Sequence, residues 1–303
     1  MGDSSEQVER MNRVDVLCIG LACWDLNFQV DRTPGPNEKA VATDLTSEGG
    51  GPAANASYCI SRLGGRAAFL GRLGRDSFGD AHLNELKGVG VNTSAIIRVS
   101  SSTPIASVLV NGCGERSIVN FNEQQESLEF DFSHSNPACL LIDGHEWTAS
   151  QKAIQHFRNS PSVLDAGSMR ESTVSLAKQS TYLIASRAYA TAFAQSESQK
   201  NWLSSLGAQA PFVAITDGSK GVHWKNNKGG FGTLEAKDVS AIDTTGAGDV
   251  FHGAFALAIS KGIDFIKSLS WANQVAAIST TQKGGRTSSP FRANVPRLGK
   301  NAQ

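Results

Sequence analysis

An α/β fold built on a mostly parallel sheet, with a small β-sheet projecting from it, is what the sequence predicts, and three observations predict it. From residue 140 onward, short apolar runs alternate with longer amphipathic ones, the pattern of right-handed βαβ units. Two glycine-rich stretches, Glu48-Gly49-Gly50-Gly51-Pro52-Ala53-Ala54-Asn55 and Asp243-Thr244-Thr245-Gly246-Ala247-Gly248-Asp249-Val250-Phe251-His252-Gly253, each stand immediately before an apolar helical run. Between them, residues 27–45 and 105–121 leave that pattern for short strands separated by turns.

At 303 residues the chain can bury a large core, as one α/β domain or as two. No repeat, low-complexity tract or linker divides it, so residues 13–295 are expected to form one domain between tails at 1–12 and 296–303. Lys+Arg and Asp+Glu both number 28, which gives no electrostatic footprint for nucleic acid or an anionic membrane and favours a small-molecule partner. No apolar run approaches the roughly 20 residues needed to span a bilayer, and the polar opening is no signal peptide, so a cytoplasmic location is expected. The five cysteines are odd in number and scattered among apolar neighbours, which reads as reduced core residues, not disulfides or a closed zinc site. No HExxH pair or nucleophile elbow occurs.

In chain order, residues 14–19 form a mostly apolar run ending at Gly20, a strand buried on both faces. Asp25 follows just beyond it, where open α/β sheets bind ligands; there it either caps a loop or accepts hydrogen bonds from sugar hydroxyls. Residues 27–45 turn polar around Thr33-Pro34-Gly35-Pro36, with a short strand on each side. The three glycines at 49–51 permit dihedrals closed to other residues, and Pro52 suits the first position of a helix running to Leu63 and stopped by Gly64 or Gly65. Backbone groups and Asn55 then face a pocket. A strand before Gly74 and a helix from Asp76 to Leu86 come next; the glycines of 74–79 lack GxGxxG spacing, which excludes a dinucleotide fingerprint. Strands are expected at 95–99, 105–110 and 116–121, the last two joined through 111–115 as a hairpin. Segments at about 27–46 and 104–122 together make the projecting sheet, a lid when it lies over a ligand site, with Asn120 near the pocket.

The alternation that follows predicts strands at 140–142, 163–165, 182–185 and 212–216, and helices at 149–157, 172–178 and 191–206. The turn Asp217-Gly218-Ser219-Lys220-Gly221 reads equally as an ordinary hairpin turn or as the seat of a nucleotide. A last helix over 265–281 carries Trp271, Val275 and Ile278 on one face, with Ala272, Ala276 and Ala277 small enough for a flat ring to approach; Gly284-Gly285-Arg286 ends it.

The stretch 243–253 opens a buried helix through a glycine turn. The first N–H groups of a helix lack partners within it and carry partial positive charge, so an anion fits there. Gly246 and Gly248 let the backbone approach a phosphate, with Asp249 alongside. Taken alone, Asp249 is equally a base beside a phosphate cradle or a capping residue.

Gly49-Gly50-Gly51-Pro52-Ala53-Ala54-Asn55 running through Gly74-Arg75-Asp76-Ser77-Phe78-Gly79, together with Asp243-Thr244-Thr245-Gly246-Ala247-Gly248-Asp249, closely resembles the ribokinase-like (PfkB) sugar kinases in order and separation, and the likeness extends from 14–19 to Gly284-Gly285. The resemblance implies a three-layer α/β/α domain with a β-sheet lid and transfer of the ATP γ-phosphoryl group to a sugar hydroxyl. It makes Asp249 the base, the N–H groups of Gly246, Ala247 and Gly248 the holders of developing charge, and Mg²⁺ a bridge held through ATP phosphates and water. It implies sugar contacts at Asp25, Gly50, Gly51 and Asn55. Nucleotide contacts follow at Thr216, Asp217, Gly218, Gly221, Thr244, Asn273 and Ala277, with a monovalent cation such as K⁺ near Asp243 and Thr245 and a homodimer formed through the lid. Many relatives carry Asn-x-x-Glu after the strand matching 182–185, where this chain reads Ser186-Arg187-Ala188-Tyr189; a non-catalytic sugar- or nucleotide-binding relative is therefore the alternative class. In motif detail the chain is most similar to sulfofructose kinases, with Lys39 and Asn120 matching donors for a sulfonate. Where those enzymes have an arginine after the strand at 140–142, this chain has Gly144 or His145. A neutral ketose such as fructose, or ribose, is the first expectation, with His145 and Glu146 as hydroxyl contacts.

Overall fold

The computed structural model describes residues 13–112, 116–123, 130–132 and 136–299. The expected N-terminal tail, the tip of the 111–115 turn and the end of the C-terminal tail lie outside them.

Two sheets organise the chain. The larger has nine strands in the order β13-β12-β11-β10-β9-β8-β1-β4-β5. These are β1 (Arg13–Ile19), β4 (Ala67–Gly74), β5 (Ile96–Val99), β8 (Asn136–Ile142), β9 (Ser162–Ala166), β10 (Tyr182–Ser186), β11 (Phe212–Thr216), β12 (Val222–Lys225) and β13 (Phe231–Leu234). Strands β5 to β11 in that order run parallel, and β12 and β13 add an antiparallel edge. The central strand β1 shows why helices cover both faces. Val16 and Cys18 enter one core, with α1 (Pro52–Arg62), α7 (Ala247–Ser260) and α8 (Phe265–Ser279), while Leu17 and Ile19 enter a second, with α3 (Trp147–His156), α4 (Glu171–Ala177), α5 (Arg187–Ala194) and α6 (Gln199–Leu206). A strand apolar on both faces needs a layer on each, and three layers result. Helix α2 (Ser77–Gly88), capped by Asp76 accepting from Gly79 N, packs beside β4.

The smaller sheet has the order β3-β2-β6-β7, with β2 (Cys23–Gln29), β3 (Asp44–Gly50), β6 (Ile105–Val110) and β7 (Arg116–Phe121). The pairs β3–β2 and β6–β7 are antiparallel and β2–β6 is parallel.

Several expectations need correction. The single helix over 191–206 is two, broken at Gln195, whose φ of 49° is left-handed. Ser196 Oγ accepts from Ser198 N and from Asn201 Nδ2, an alternative to helix that serine side chains offer the backbone. Strand β13, not anticipated, pairs with β12 and extends the sheet. Asp25 lies inside β2 and not in a loop after β1, and Gly49 and Gly50 are strand residues of β3 and not a turn. Of the three successive glycines, Gly51 has the special dihedral, φ 95°; there a Cβ would lie 2.3 Å from Leu21 O. Four cysteines, at 18, 23, 59 and 139, are buried and free. Among the described residues no helix is long and apolar enough to cross a membrane.

Candidate active site

Helix α7 begins with Gly246 in the left-handed region (φ 73°), and a Cβ on Gly246 would lie 2.6 Å from Gly285 O. The turn therefore packs backbone on backbone; no side chain caps α7, and the Ala247 N–H donates to Thr244 O at 3.3 Å. Nothing lies within 4 Å of the position a Gly248 Cβ would take. Asp249 stands in this first turn, and its Oδ2 accepts a 2.8 Å hydrogen bond from Asn55 Nδ2 on α1. The two glycine motifs thus meet. The helices can cross this closely because Gly253 lies against Ala56, where a Cβ would sit 2.8 Å from the Ala56 carbonyl.

Asp249 is pushed up to about 8 from its usual carboxylate value, first by burial and then by the charge of Asp165; Asn55's donation works the other way, and Asp25 and Asp143 add smaller upward pushes. Asp165 is the penultimate residue of β9 and Asp143 follows β8, so carboxylates from successive parallel strands converge at the strands' C-terminal ends, where open α/β sheets bind ligands. Burial opposes the charge on Asp143, but His145 and the Leu21 N–H outweigh it and hold its carboxyl below the usual range. His252, one turn along α7, lies 3.3 Å from Asp165 Oδ2 through Nδ1, which also faces Gly248 O at 2.6 Å.

Asp25 packs onto Gly50, where a Cβ would lie 2.2 Å from its Oδ2: the glycine is required by close approach, not by its dihedral. Burial raises the Asp25 pKa, against a thiol donation from Cys23 (3.1 Å). In register, Glu48, Asp25, Ala106 and Asn120 form one row across the small sheet, so Asn120 shares the face of Asp25. Lys39 is exposed in the connection between β2 and β3. His145 lies beside Asp143, Nδ1 to Oδ1 3.1 Å, and its Nε2 meets Arg170. Glu146, expected to meet a hydroxyl, is instead gripped by Arg72 through both carboxylate oxygens, at 2.9 and 3.0 Å.

A cavity of about 540 Å³ runs from the 218–221 turn to the start of α7. Thr216, Gly218, Gly221, Thr244, Asn273 and Ala277 line it, with Val222, Phe251 and Ala276 supplying apolar wall. Asp217 turns inward, 3.4 Å from Arg187 Nη1 and 3.6 Å from His223 Nε2, so the carboxylate belongs to the fold beneath the cavity. The Asn273 amide donates to Glu235 O at 2.7 Å. Asp243 Oδ1 accepts from Thr245 N (2.9 Å) and Oγ1 (2.7 Å), and Oδ2 accepts from Gly284 N (3.0 Å). Arg116 of β7 reaches across to Thr244 Oγ1 at 3.2 Å, linking the small sheet to the turn that opens α7. Tyr189, at the position where the resemblance has a glutamate, is buried and stacked on Phe193.

Sequence reasoning missed Asp143, Asp165, Arg116 and Arg286. The first two carried a usable signal, a carboxylate at the end of an apolar run. Arg286 had only its place after two glycines.

The model of the pfkB family carbohydrate kinases matches residues 13–292, and the chain belongs to that family. A ribokinase of Bacillus subtilis is 26% identical over 295 residues, covering 94% of this chain and 99% of that protein. A fructokinase of Vibrio alginolyticus is 27% identical over 286 residues, covering 84% and 93%. The structure of an Arabidopsis thaliana ribokinase complexed with ribose and ATP shares the fold, with a TM-score of 0.83 at 22% identity over 94% of this chain and 98% of that one.

Proposed function

We propose that the protein transfers the γ-phosphoryl group of ATP to a hydroxyl of a neutral monosaccharide, either a ketose such as fructose or the aldose ribose, seated between Asp25, Asn55 and Asp249. The observation that carries this reading is the position of Asp249: its carboxylate stands in the first turn of α7, a helix start that no side chain caps and that is open at Gly248, so one turn offers both a proton acceptor and an anion cradle. Asp249 takes the proton of the attacking hydroxyl. The N–H groups of Gly246, Ala247 and Gly248 hold the charge that develops on the phosphoryl oxygens, the stabilisation this reaction chiefly needs. Asp25 accepts from a sugar hydroxyl, and Asn120 on the same face is a second contact. The small sheet acts as the lid that keeps water from the phosphoryl group.

ATP fits the cavity beside α7, with adenine against Val222, Phe251 and Ala277 and the phosphates toward Thr244 and Gly248. The Arabidopsis ribokinase, of like fold, binds ribose and ATP, which supports both ligands. Among the described residues no cluster of three or more His, Cys, Asp or Glu could hold a metal; Mg²⁺ would be held through the ATP phosphates and water, and would neutralise phosphate charge there. Asp243 Oδ2, which accepts from Gly284 N, is the carboxylate oxygen available to a monovalent cation there; no step depends on such an ion.

A neutral sugar is favoured over a sulfonated one because Gly144 and His145 stand where an arginine would meet the sulfonate, and Lys39 is exposed in the β2–β3 connection. A coupled assay for ADP release over fructose, ribose, sulfofructose, tagatose and nucleosides selects the substrate. Turnover fastest with sulfofructose, and lost in Lys39→Ala, would overturn the neutral assignment. Sugar and ATP affinity without ADP release would make the protein a binding relative. For the base, Asp249→Asn should retain both ligands in calorimetry and lose at least about 10²-fold in turnover.

A further inference from the structure

Arg286 is 1% exposed and belongs to no part of the site described so far. Its backbone is clamped by Glu48 of β3, which accepts from Gly285 N at 2.7 Å and from Thr287 N at 3.2 Å. Its guanidinium then spreads over three elements. Nη1 donates to Glu85 Oε2 on α2 at 2.8 Å; Nη2 donates to His82 Nε2 at 3.0 Å and to Gly50 O at 3.3 Å; Nε donates to Asn55 Oδ1 at 3.0 Å. Burial, and after it the guanidinium, holds His82 well below its ordinary pKa, so its ring is neutral; Nε2, which also lies 3.1 Å from Gly50 O, accepts from Nη2 in the tautomer protonated at Nδ1. Gly49 makes room for this arrangement, since a Cβ there would lie 1.9 Å from Nη1.

The consequence falls on Asn55. An amide has a donor end and an acceptor end that are nearly equal in shape, and either could face a carboxylic acid. Guanidinium has donors alone, so Nε turns Oδ1 of Asn55 toward Arg286 and leaves Nδ2 to donate to Asp249 at 2.8 Å. We propose that Arg286 is a positioning residue for phosphoryl transfer, acting through the Asn55 amide to orient the Asp249 carboxylate and to keep a donor aimed at it. This rests on Asp249 being the base. A lysine could keep the charge but not the fork that holds Asn55, Glu85, His82 and Gly50 together.

The test reads the free protein. Carboxyl-¹³C aspartate labelling, with Asp249 assigned from the spectrum of Asp249→Asn, follows the Asp249 titration. The groups facing Asp249 are Asp165 from β9, Asp143 after β8, Asp25 from β2 and Asn55 from α1, with His252 beyond it on α7; the Cys23 and Cys59 thiols nearby are pushed up by burial and stay neutral. With Arg286→Lys the amide is released to turn its acceptor end toward Asp249, and the midpoint is expected to rise by roughly one pH unit. Asn55→Ala should raise it similarly, and adding Arg286→Lys to Asn55→Ala should raise it no further. Additive shifts, or no shift in Arg286→Lys, overturn the proposal. Glu85→Gln, which loosens Nη1 but not Nε, should leave the midpoint in place. If Arg286→Lys does not fold, Arg286→Met with Glu85→Gln, which leaves no unpaired partner charge, takes its place; the guanidinium charge is then lost in both backgrounds, so the shift should be smaller with Asn55→Ala than without it, and equal shifts overturn the proposal. The titration needs no substrate, so its failure is separate from retention of turnover by Asp249→Asn, which would instead remove the base.

Discussion

As the proposed base, Asp249 meets two opposed demands: it must be anionic to accept a proton, yet it sits among carboxylates on β2, after β8 and on β9 that disfavour its charge. Its pKa of about 8 states the balance. For the reaction, kcat/KM should climb about tenfold per pH unit below that value, since it reports the free enzyme's base; a limb near the ordinary carboxylate range would contradict the assignment. Asp165→Asn removes the nearest like charge and should move the limb to lower pH, which a pH series on that variant checks. For stability the sign is reversed. A carboxyl whose folded pKa is raised contributes fully below its unfolded value and loses that contribution as pH rises through the folded one. Asp249→Asn, which cannot ionise, should therefore be at least as stable as the parent at pH 9 in urea unfolding, and a lower midpoint there would mean that the buried charge is better satisfied than its neighbours suggest.

At the scale of elements, the start of α7 depends on Gly246 having no side chain. Gly246→Ala forces an L side chain to a φ of 73° and against Gly285 O, so a loss of about 1–3 kcal/mol is expected in denaturant titration. An unchanged midpoint would show that the 284–287 segment yields easily. This turn was legible in the sequence because glycine, a carboxylate and an apolar helix leave a local mark, and so were the βαβ runs, whose strands are buried on both faces. Partnership over long separation was not. Asn55 and Asp249 lie 194 residues apart, Arg286 and Gly50 236, and no local pattern announces that they touch. The break at Gln195 was hidden because it uses serine side chains and not glycine or proline, and β13 because four residues of mixed polarity at a sheet edge carry little periodicity. The first two of the glycines at 49–51 were noticed for the wrong physical reason: Gly49 and Gly50 make room for Arg286 and Asp25, whereas φ matters at Gly51.

For the whole molecule, the small sheet sets the boundary of the site and exposes a second face. One face carries Asp25, Asn27, Glu48, Asn120 and Arg116 toward the cleft; the register puts Leu26, Phe28, Leu45, Leu109, Val119 and Phe121 on the other. Val119 is 71% and Phe121 52% exposed, while α2 covers the Trp24 end of that face through Phe78 and His82. An apolar sheet face left partly open calls for a cover, and a second copy of the same sheet is self-complementary about a two-fold axis. We propose a homodimer joined by these outer faces, which would also brace each lid over its own site. Light scattering after size exclusion should then give about twice the 32.1 kDa chain mass, and Val119→Asp with Phe121→Asp should return it to the monomer. Because both residues point away from the cleft, the monomer should keep Asp249 chemistry but hold the sugar less well, so KM for the sugar should rise more than kcat falls. A parent protein that runs as a monomer at micromolar concentration would remove the dimer, and a double variant that loses kcat with KM unchanged would show that the outer face supports the catalytic turn, through Arg116, and not the lid's closure.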